Sequence, residues 1–454
     1  AGLELVLAGY SFTYAIGLVT GGRMGDLFGR RRLFAGGMTV FSLASLFCGL
    51  APSIGVLVAG RLLQGVGAAA MVPQVLALIT VLFPPSERAR ALAMFGATVG
   101  LGTVCGQILG GALLQLDLLG LGWRPVFFVN VPVGIAAVAG ALLLIPESRA
   151  HVSERLDPAG LVTMTAGLGA LIAPLILGRT EGWPAWTYAS LAASAVLLPA
   201  FVAWEWRLEG RGGAPLVRLS LLRHRAVLTG LGVAAAFFCF FGSFLLVFTI
   251  FLQTGLHQSA LDAGLTFGPL GLGFAASSLA GRRLAMRFGG TVVTAGTLLS
   301  GAGLLVLAIE VAALGLGTGT AELLPALVVI GLGNGLVIPL LVGTVLTGVP
   351  ADSSGAVAGV LSMTMQVALA LGVALIGLLF FPQVASAGMA TATARSLFCD
   401  LGLVAVAVGA SLALPRRPAR ATAPAPARVD PVPAAVRAPG AAGDVTDAAA
   451  EAAA

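Results

Sequence analysis

Thirteen apolar runs, each long enough to cross a bilayer as a helix, follow one another along the chain with only short polar joints between them. A crossing helix needs about 20 residues to span the roughly 30 Å hydrocarbon core. The runs lie near 3–22, 33–52, 54–82, 88–115, 125–145, 157–178, 187–206, 226–252, 262–281, 291–310, 322–348, 354–380 and 397–415. Each is continuous rather than alternating, which selects helices over a barrel. Composition agrees: of 454 residues, 58% are hydrophobic and 10% charged, against about a quarter charged in soluble domains. The 63 glycines suit helices whose backbones approach closely.

The arginines orient the runs. If 21–32 faces the cytoplasm, 21 of the 25 basic residues fall on the inner side. Arg124, Arg179 and Arg395 fall outside, and Arg61 lies within a run. That asymmetry is the positive-inside rule holding along the whole chain. It puts the C-terminus in the cytoplasm and Ala1 outside, so one further helix before Ala1 is expected, for fourteen in all. The expected organisation is a helical bundle over 1–145, two extra helices and a basic inner linker over 146–225, a second bundle over 226–415 and a disordered tail over 416–454. The tail is Pro/Ala-rich without apolar periodicity.

Several function classes drop out. The chain has no lysine, so a phosphate-binding P-loop and Schiff-base chemistry are both excluded. Its four cysteines (Cys48, Cys105, Cys239, Cys399) and three histidines have no metal-ligand spacing. No nucleophile–base set is visible, and no cofactor is expected. The net charge of +6 comes from arginines scattered between apolar runs, which fits a membrane surface rather than nucleic acid.

The charge is concentrated in "GGRMGDLFGRRR", 21–32. Gly21, Gly22, Gly25 and Gly29 permit a tight turn and close helix approach at the membrane face. Asp26 is expected near the start of the next helix, where a negative group meets unpaired N–H groups. Arg30, Arg31 and Arg32 face anionic headgroups or acidic partners. Two readings stay open: a latch between helices that closes in one conformation, and a solvated positive-inside loop.

This stretch resembles the loop between the second and third helices of the major facilitator superfamily. "RLLQGVGAAAMVP" (Arg61 to Pro73) is similar to that family's fourth-helix motif. "GATVGLGTVCGQILGG" (Gly96 to Gly111) resembles its glycine-rich fifth-helix motif. "GWRPVFFVNVPVG" (Gly122 to Gly134) and "SSGAVAGVLSMTMQVALALGVA" (Ser353 to Ala374) resemble the fourteen-helix drug:proton antiporter branch. The resemblance implies an all-α fold of two six-helix bundles plus two central extra helices, with the family's first helix falling before Ala1. It carries the cytoplasmic gate to Gly22, Gly25, Asp26, Gly29, Arg30 and Arg31. The fifth-helix motif departs from its pattern at Gln107, where the family has proline. The second-half copy, "GRRLAMRFGG" (Gly281 to Gly290), lacks the aspartate.

Candidate transport and coupling residues follow from polarity inside the runs. Arg61 lies about 10 Å into its run; its readings are a functional charge and an internal hydrogen-bonding group. Acids are scarce: Glu4, Glu310, Glu322, Asp262 and Asp400 are all expected near outer ends, with Glu4 a fallback proton carrier. Tyr10, Tyr14, Gln64, Gln74, Gln107, Asn334 and Gln366 are the remaining candidates, each also able to serve an internal hydrogen bond. Gly96, Gly100, Gly102, Gly106, Gly110 and Gly111 are expected to form a packing seam. Phe237, Phe241, Phe244, Phe248 and Phe251 share one helix face, read as packing or lipid contact, or else as a cavity wall for a flat hydrophobic compound.

The expected function is therefore proton-coupled efflux of hydrophobic or amphipathic drugs or natural products, conferring antibiotic resistance by alternating access. The alternative is carriage of another small metabolite or peptide-like substrate. The expected partners are the substrate, protons and membrane lipids, and the expected setting is a monomer in the bacterial plasma (inner) membrane.

Overall fold

The computed structural model describes residues 2–117, 120–149, 157–178, 181–346 and 354–414, so the expected tail lies outside them. The described residues form helices and no strand: α1 Gly2–Phe28, α2 Arg30–Gly49, α3 Ile54–Leu82, α4 Pro85–Leu116, α5 Pro125–Phe128, α6 Asn130–Leu144, α7 Pro158–Leu177 and α8 Ala185–Gly210. After a short turn follow α9 Arg225–Ile250, α10 Ala260–Thr266, α11 Gly268–Phe288, α12 Thr291–Leu314, α13 Thr320–Leu346, α14 Ser354–Ala387 and α15 Met389–Ser411. Among the described residues, eleven segments are long and apolar enough to cross a membrane. The chain is a multi-pass membrane protein.

Local chemistry sets the ends. Ser53, Asp157 and Ser259 cap α3, α7 and α10 by accepting from the N–H groups of Val56, Gly160 and Asp262. The 125–145 run divides at Val129 into α5 and α6, and the 262–281 run divides at Phe267. The last run begins eight residues earlier than hydropathy alone suggests. Gly388 turns at φ 82°, and "MATATARS" is helical although only weakly apolar. The expectation that Asp400 sits near an outer end is therefore corrected: it lies midway between Met389 and Ser411, roughly 16 Å from either end.

Packing follows the small residues. α1 lies on α3, α2 lies between α3 and α6, and α11, α12 and α13 form one stack. One apolar core runs through α9–α15, from Val227 to Leu414. Two seams join the first helices to the last: α1 meets α14, and α4 meets α10, α11 and α13. The α7–α8 pair sits beside the first seam, where Ile16, Met164, Leu168 and Phe201 share a core with Leu216 and Val217 of the linker and Val360 and Met363 of α14. Of the expected α4 seam, Gly111 meets the Ala260 backbone of α10, while Gly102, Gly106 and Gly110 touch nothing that a Cβ would reach. The surroundings of Gly96 and Gly100 and the Gln107 side chain lie outside what is described.

Within the last helices, a Cβ at Gly372 of α14 would overlap the Cys239 carbonyl of α9, and one at Gly242 would overlap the Leu369 carbonyl. Because the obstacle is backbone, it cannot step aside. Gly372→Val is expected to push α14 off α9 at a cost of about 1–3 kcal/mol, read as a lower thermal midpoint of the purified chain. Gly409→Val, where a Cβ meets nothing within 4 Å, should leave that midpoint in place.

Candidate functional site

Two polar assemblies stand out, one at the α1–α2 joint and one inside the membrane-spanning region.

The joint is tighter than its sequence suggests. α1 continues to Phe28 and α2 begins at Arg30, leaving Gly29 alone at φ 106°, a conformation that glycine tolerates without strain. Asp26 is on the last turn of α1 and accepts from Arg30 at 2.6 Å. The expectation that Asp26 meets the first N–H groups of α2 is corrected: Glu147 meets them instead. The Glu147 carboxylate accepts from the Arg31 N–H at 3.1 Å and the Arg32 N–H at 3.3 Å, and the Arg30 N–H donates to the Ser148 carbonyl. An anion at a helix N-terminus satisfies both the orphan donors and the dipole. Glu147 also pairs with the Arg31 and Arg32 guanidinium groups at 3.8 and 3.6 Å. Glycine is needed at 29 a second time, because a Cβ there would press on this carboxylate.

Other residues of the 21–32 stretch contact neighbouring elements. Gly21 and Gly25 allow α3 to approach: a Cβ would overlap the Ala69 carbonyl at the first and the Gln74 amide at the second. Gln74 donates to the Gly21 carbonyl at 2.7 Å, so it belongs to this joint and not to the site of Gln64. Gly22 makes only ordinary contact with Pro73. Arg23 donates to the Pro215 carbonyl of the linker.

The membrane-embedded assembly centres on Arg61. Its Nε donates to the Val6 carbonyl at 3.1 Å and its Nη1 to the Gln64 Oε1 at 3.0 Å. The guanidinium lies over the Tyr10 ring, 4.6 Å from its centroid, a favourable seat for a cation. Gln64 donates to the Ser45 hydroxyl at 2.8 Å, Asn130 donates to the same oxygen at 2.9 Å, and Ser45 donates to the Phe127 carbonyl. One hydroxyl thus accepts twice and donates once, which satisfies it fully. Tyr10 stacks on Tyr14 at 5.6 Å, and the Gln366 amide of α14 approaches the Tyr14 hydroxyl. Arg61, Gln64, Tyr10, Tyr14 and Gln366 therefore form one chain that crosses the α1–α14 seam.

Sequence reasoning missed three participants. Ser45 gives no signal in an apolar run, since one hydroxyl is common there. Asn130 stood inside a quoted motif as the lone amide between apolar residues, which was a usable signal. Glu147 follows Pro146 just past α6, and no local pattern marks it as the cap of a helix over a hundred residues away.

Other expected residues sit apart from this chain. Asn334 of α13 is fully buried and accepts from Ser300 of α12 at 2.9 Å. Phe237, Phe244, Phe248 and Phe251 are fully buried in the α9–α15 core. Phe244 and Phe248 stack and meet Phe267 edge-on. Phe240 is fully buried with them, while Phe241 is only partly buried: at about 100° per residue the buried face centres nearer Phe240 than Phe241. The ridge packs against the protein core in this conformation. The Glu4 side chain lies outside the described residues. Among the described residues, no group of three or more His, Cys, Asp or Glu could hold a metal ion.

The family model of the Major Facilitator Superfamily matches residues 1–159 and 151–373. The chain is 40% identical to a probable actinorhodin transporter of Streptomyces coelicolor, over 86% of this chain and 68% of that protein. It is 33% identical to a tetracenomycin C resistance and export protein of Streptomyces glaucescens, over 85% and 70%, and 36% identical to a puromycin resistance protein of Streptomyces alboniger, over 82% and 73%. The fold is similar to that of the human organic anion transporter MFSD10 (TETRAN), with a TM-score of 0.58, 18% identity and coverage of 88% of this chain and 83% of that one.

The joint generates two predictions. Asp26→Asn is expected to slow transport while leaving insertion and folding intact, with altered spin-label distances across the Gly29 end. Glu147→Ala should destabilise the chain by about 1 kcal/mol through loss of a helix cap and change the same distances. Wild-type distances in both variants would make the joint a plain turn.

Proposed function

The chain belongs to the Major Facilitator Superfamily, and from that premise we propose that it exports hydrophobic or amphipathic natural products or drugs in exchange for protons. Its kinship is with bacterial multidrug and antibiotic-resistance exporters, secondary carriers and not enzymes. The observation that carries the reading is Arg61, a cation held inside a span by a carbonyl, an amide oxygen and an aromatic ring. An ion in that position is costly and marks a site by default. The tyrosine pair and Gln366 extend it across the α1–α14 seam, so substrate bound there touches both halves of the chain. Rocking of 1–145 against 226–415 about the two seams would expose that site to either side in turn. In this scheme the Gly29 joint is the cytoplasmic gate, the membrane is the bacterial inner membrane and the C-terminus is cytoplasmic.

The test is transport in proteoliposomes of the full chain, with and without an imposed proton gradient, over a panel of hydrophobic drugs and metabolites. The expected result is drug movement that the gradient accelerates. Arg61→Ala should abolish the acceleration with folded protein retained, and Arg61→Lys should restore little, since lysine lacks the planar donor fork. Wild-type rates and proton dependence in Arg61→Ala would reduce Arg61 to a structural group.

A further inference from the structure

We propose that Asp400 of α15, faced by Ser243 of α9, is an ion site that takes up and releases a small monovalent cation, the proton or sodium. Asp400 lies at the middle of its helix and is 1% exposed. Its carboxyl lies against the Ser243 hydroxyl without closing a hydrogen bond, and its Oδ2 is buried with no protein partner. Ser243 is equally buried, and its Oγ is also unpartnered. So are Ser396 and Thr393, one and two turns before Asp400 on the same face of α15. Buried serine and threonine hydroxyls in helices ordinarily bond back to the carbonyl four residues earlier, and these do not. The result is a stripe of unpaired oxygens running from the Gly388 end of α15 to its centre.

No described cation pairs with the carboxylate: Arg395, the basic side chain of α15 itself, is exposed and makes no ion pair with Asp400 among the described residues. α14 carries no ionisable side chain; α12 carries only Glu310, near its far end; α9 carries Arg225 at its start and Cys239, whose thiol is the titratable group facing Asp400. An unpaired carboxylate in such a place is expensive unless a proton or cation neutralises it. Uptake forms one O–H bond to the carboxyl, or for sodium one set of contacts with the carboxyl and hydroxyl oxygens. Release returns the ion unchanged.

Position makes the site more than a buried acid. The turn of α9 that bears Ser243 touches α14 on its other side, at the Gly242–Leu369 and Cys239–Gly372 contacts. Leu369 is one turn from Gln366, which reaches Tyr14. Sliding of α9 on α14 would change the Ser243–Asp400 contact and the Gln366–Tyr14 contact together. This coupling role rests on the carrier reading above; ion binding itself does not.

Infrared difference spectroscopy on the full chain in lipid nanodiscs reads binding without transport. The expected result is a carboxylic C=O band that vanishes in Asp400→Asn, shifts in Ser243→Ala and disappears as pH rises. Loss of the band on adding sodium at constant pH would identify sodium; indifference to sodium would identify the proton. A band that persists at every pH and sodium concentration at which the chain stays folded would make Asp400 a permanently neutral packing group and overturn the proposal. So would the absence of any Asp400 band at the lowest such pH. In proteoliposomes, Asp400→Asn should lose gradient-driven transport down to the uncoupled background, and full retention would overturn the coupling role. A wild-type chain that moves no drug would defeat the carrier reading while leaving the infrared result standing.

Discussion

Arg61 is held by groups that cannot leave the membrane with it. Water is not at hand to replace a lost partner in hydrocarbon, so the backbone carbonyl of Val6, the Gln64 amide and the Tyr10 ring must do that work together. Each of these then needs its own neighbour. Gln64 is fixed by Ser45, Ser45 by Asn130 and Phe127, and Tyr10 by Tyr14. Five helices and helical segments are thereby ordered around one charge, and removal of any member leaves a buried polar group unpaired. The tyrosine end of the chain reaches α14, the one contact in this assembly that belongs to the other half of the molecule.

Glycine decides where helices can come close, within each half and between the halves. Gly21 and Gly25 seat α1 on α3, Gly111 seats α4 on α10, and Gly242 with Gly372 seats α9 on α14. At each place backbone or a fixed amide fills the space of a side chain, giving close but smooth surfaces with little to interlock. Such surfaces suit helices that slide or rock. The charged joint at Gly29 is the opposite kind of contact: Asp26–Arg30 and Glu147 with the start of α2 form a discrete set of bonds that is either made or broken.

The helical architecture was legible because hydrocarbon thickness imposes one length on every run, and arginine placement gave those runs a consistent direction. Arg61, Gln64, Tyr10, Tyr14 and Gln366 were legible as polar residues in apolar surroundings, and they do come together. Glu147 was not, because a helix cap supplied from over a hundred residues away leaves no local pattern. Asp400 was misplaced for a different reason: hydropathy marks the apolar part of a helix, while α15 begins in a small-residue stretch that hydropathy leaves out. The phenylalanine ridge was seen as a face, but periodicity alone does not say what a face meets.

The central claim is that the Arg61–Tyr14–Gln366 chain lines a site open to one side of the membrane at a time. Its most direct test is a Gln366→Cys chain, with the four native cysteines replaced, probed by membrane-impermeant thiol reagents from each side of oriented proteoliposomes. The account predicts modification from one side only, with the reactive side switching when a proton gradient or a transported drug is supplied. Simultaneous reaction from both sides, or a reactive side that no gradient and no drug can change, would contradict it.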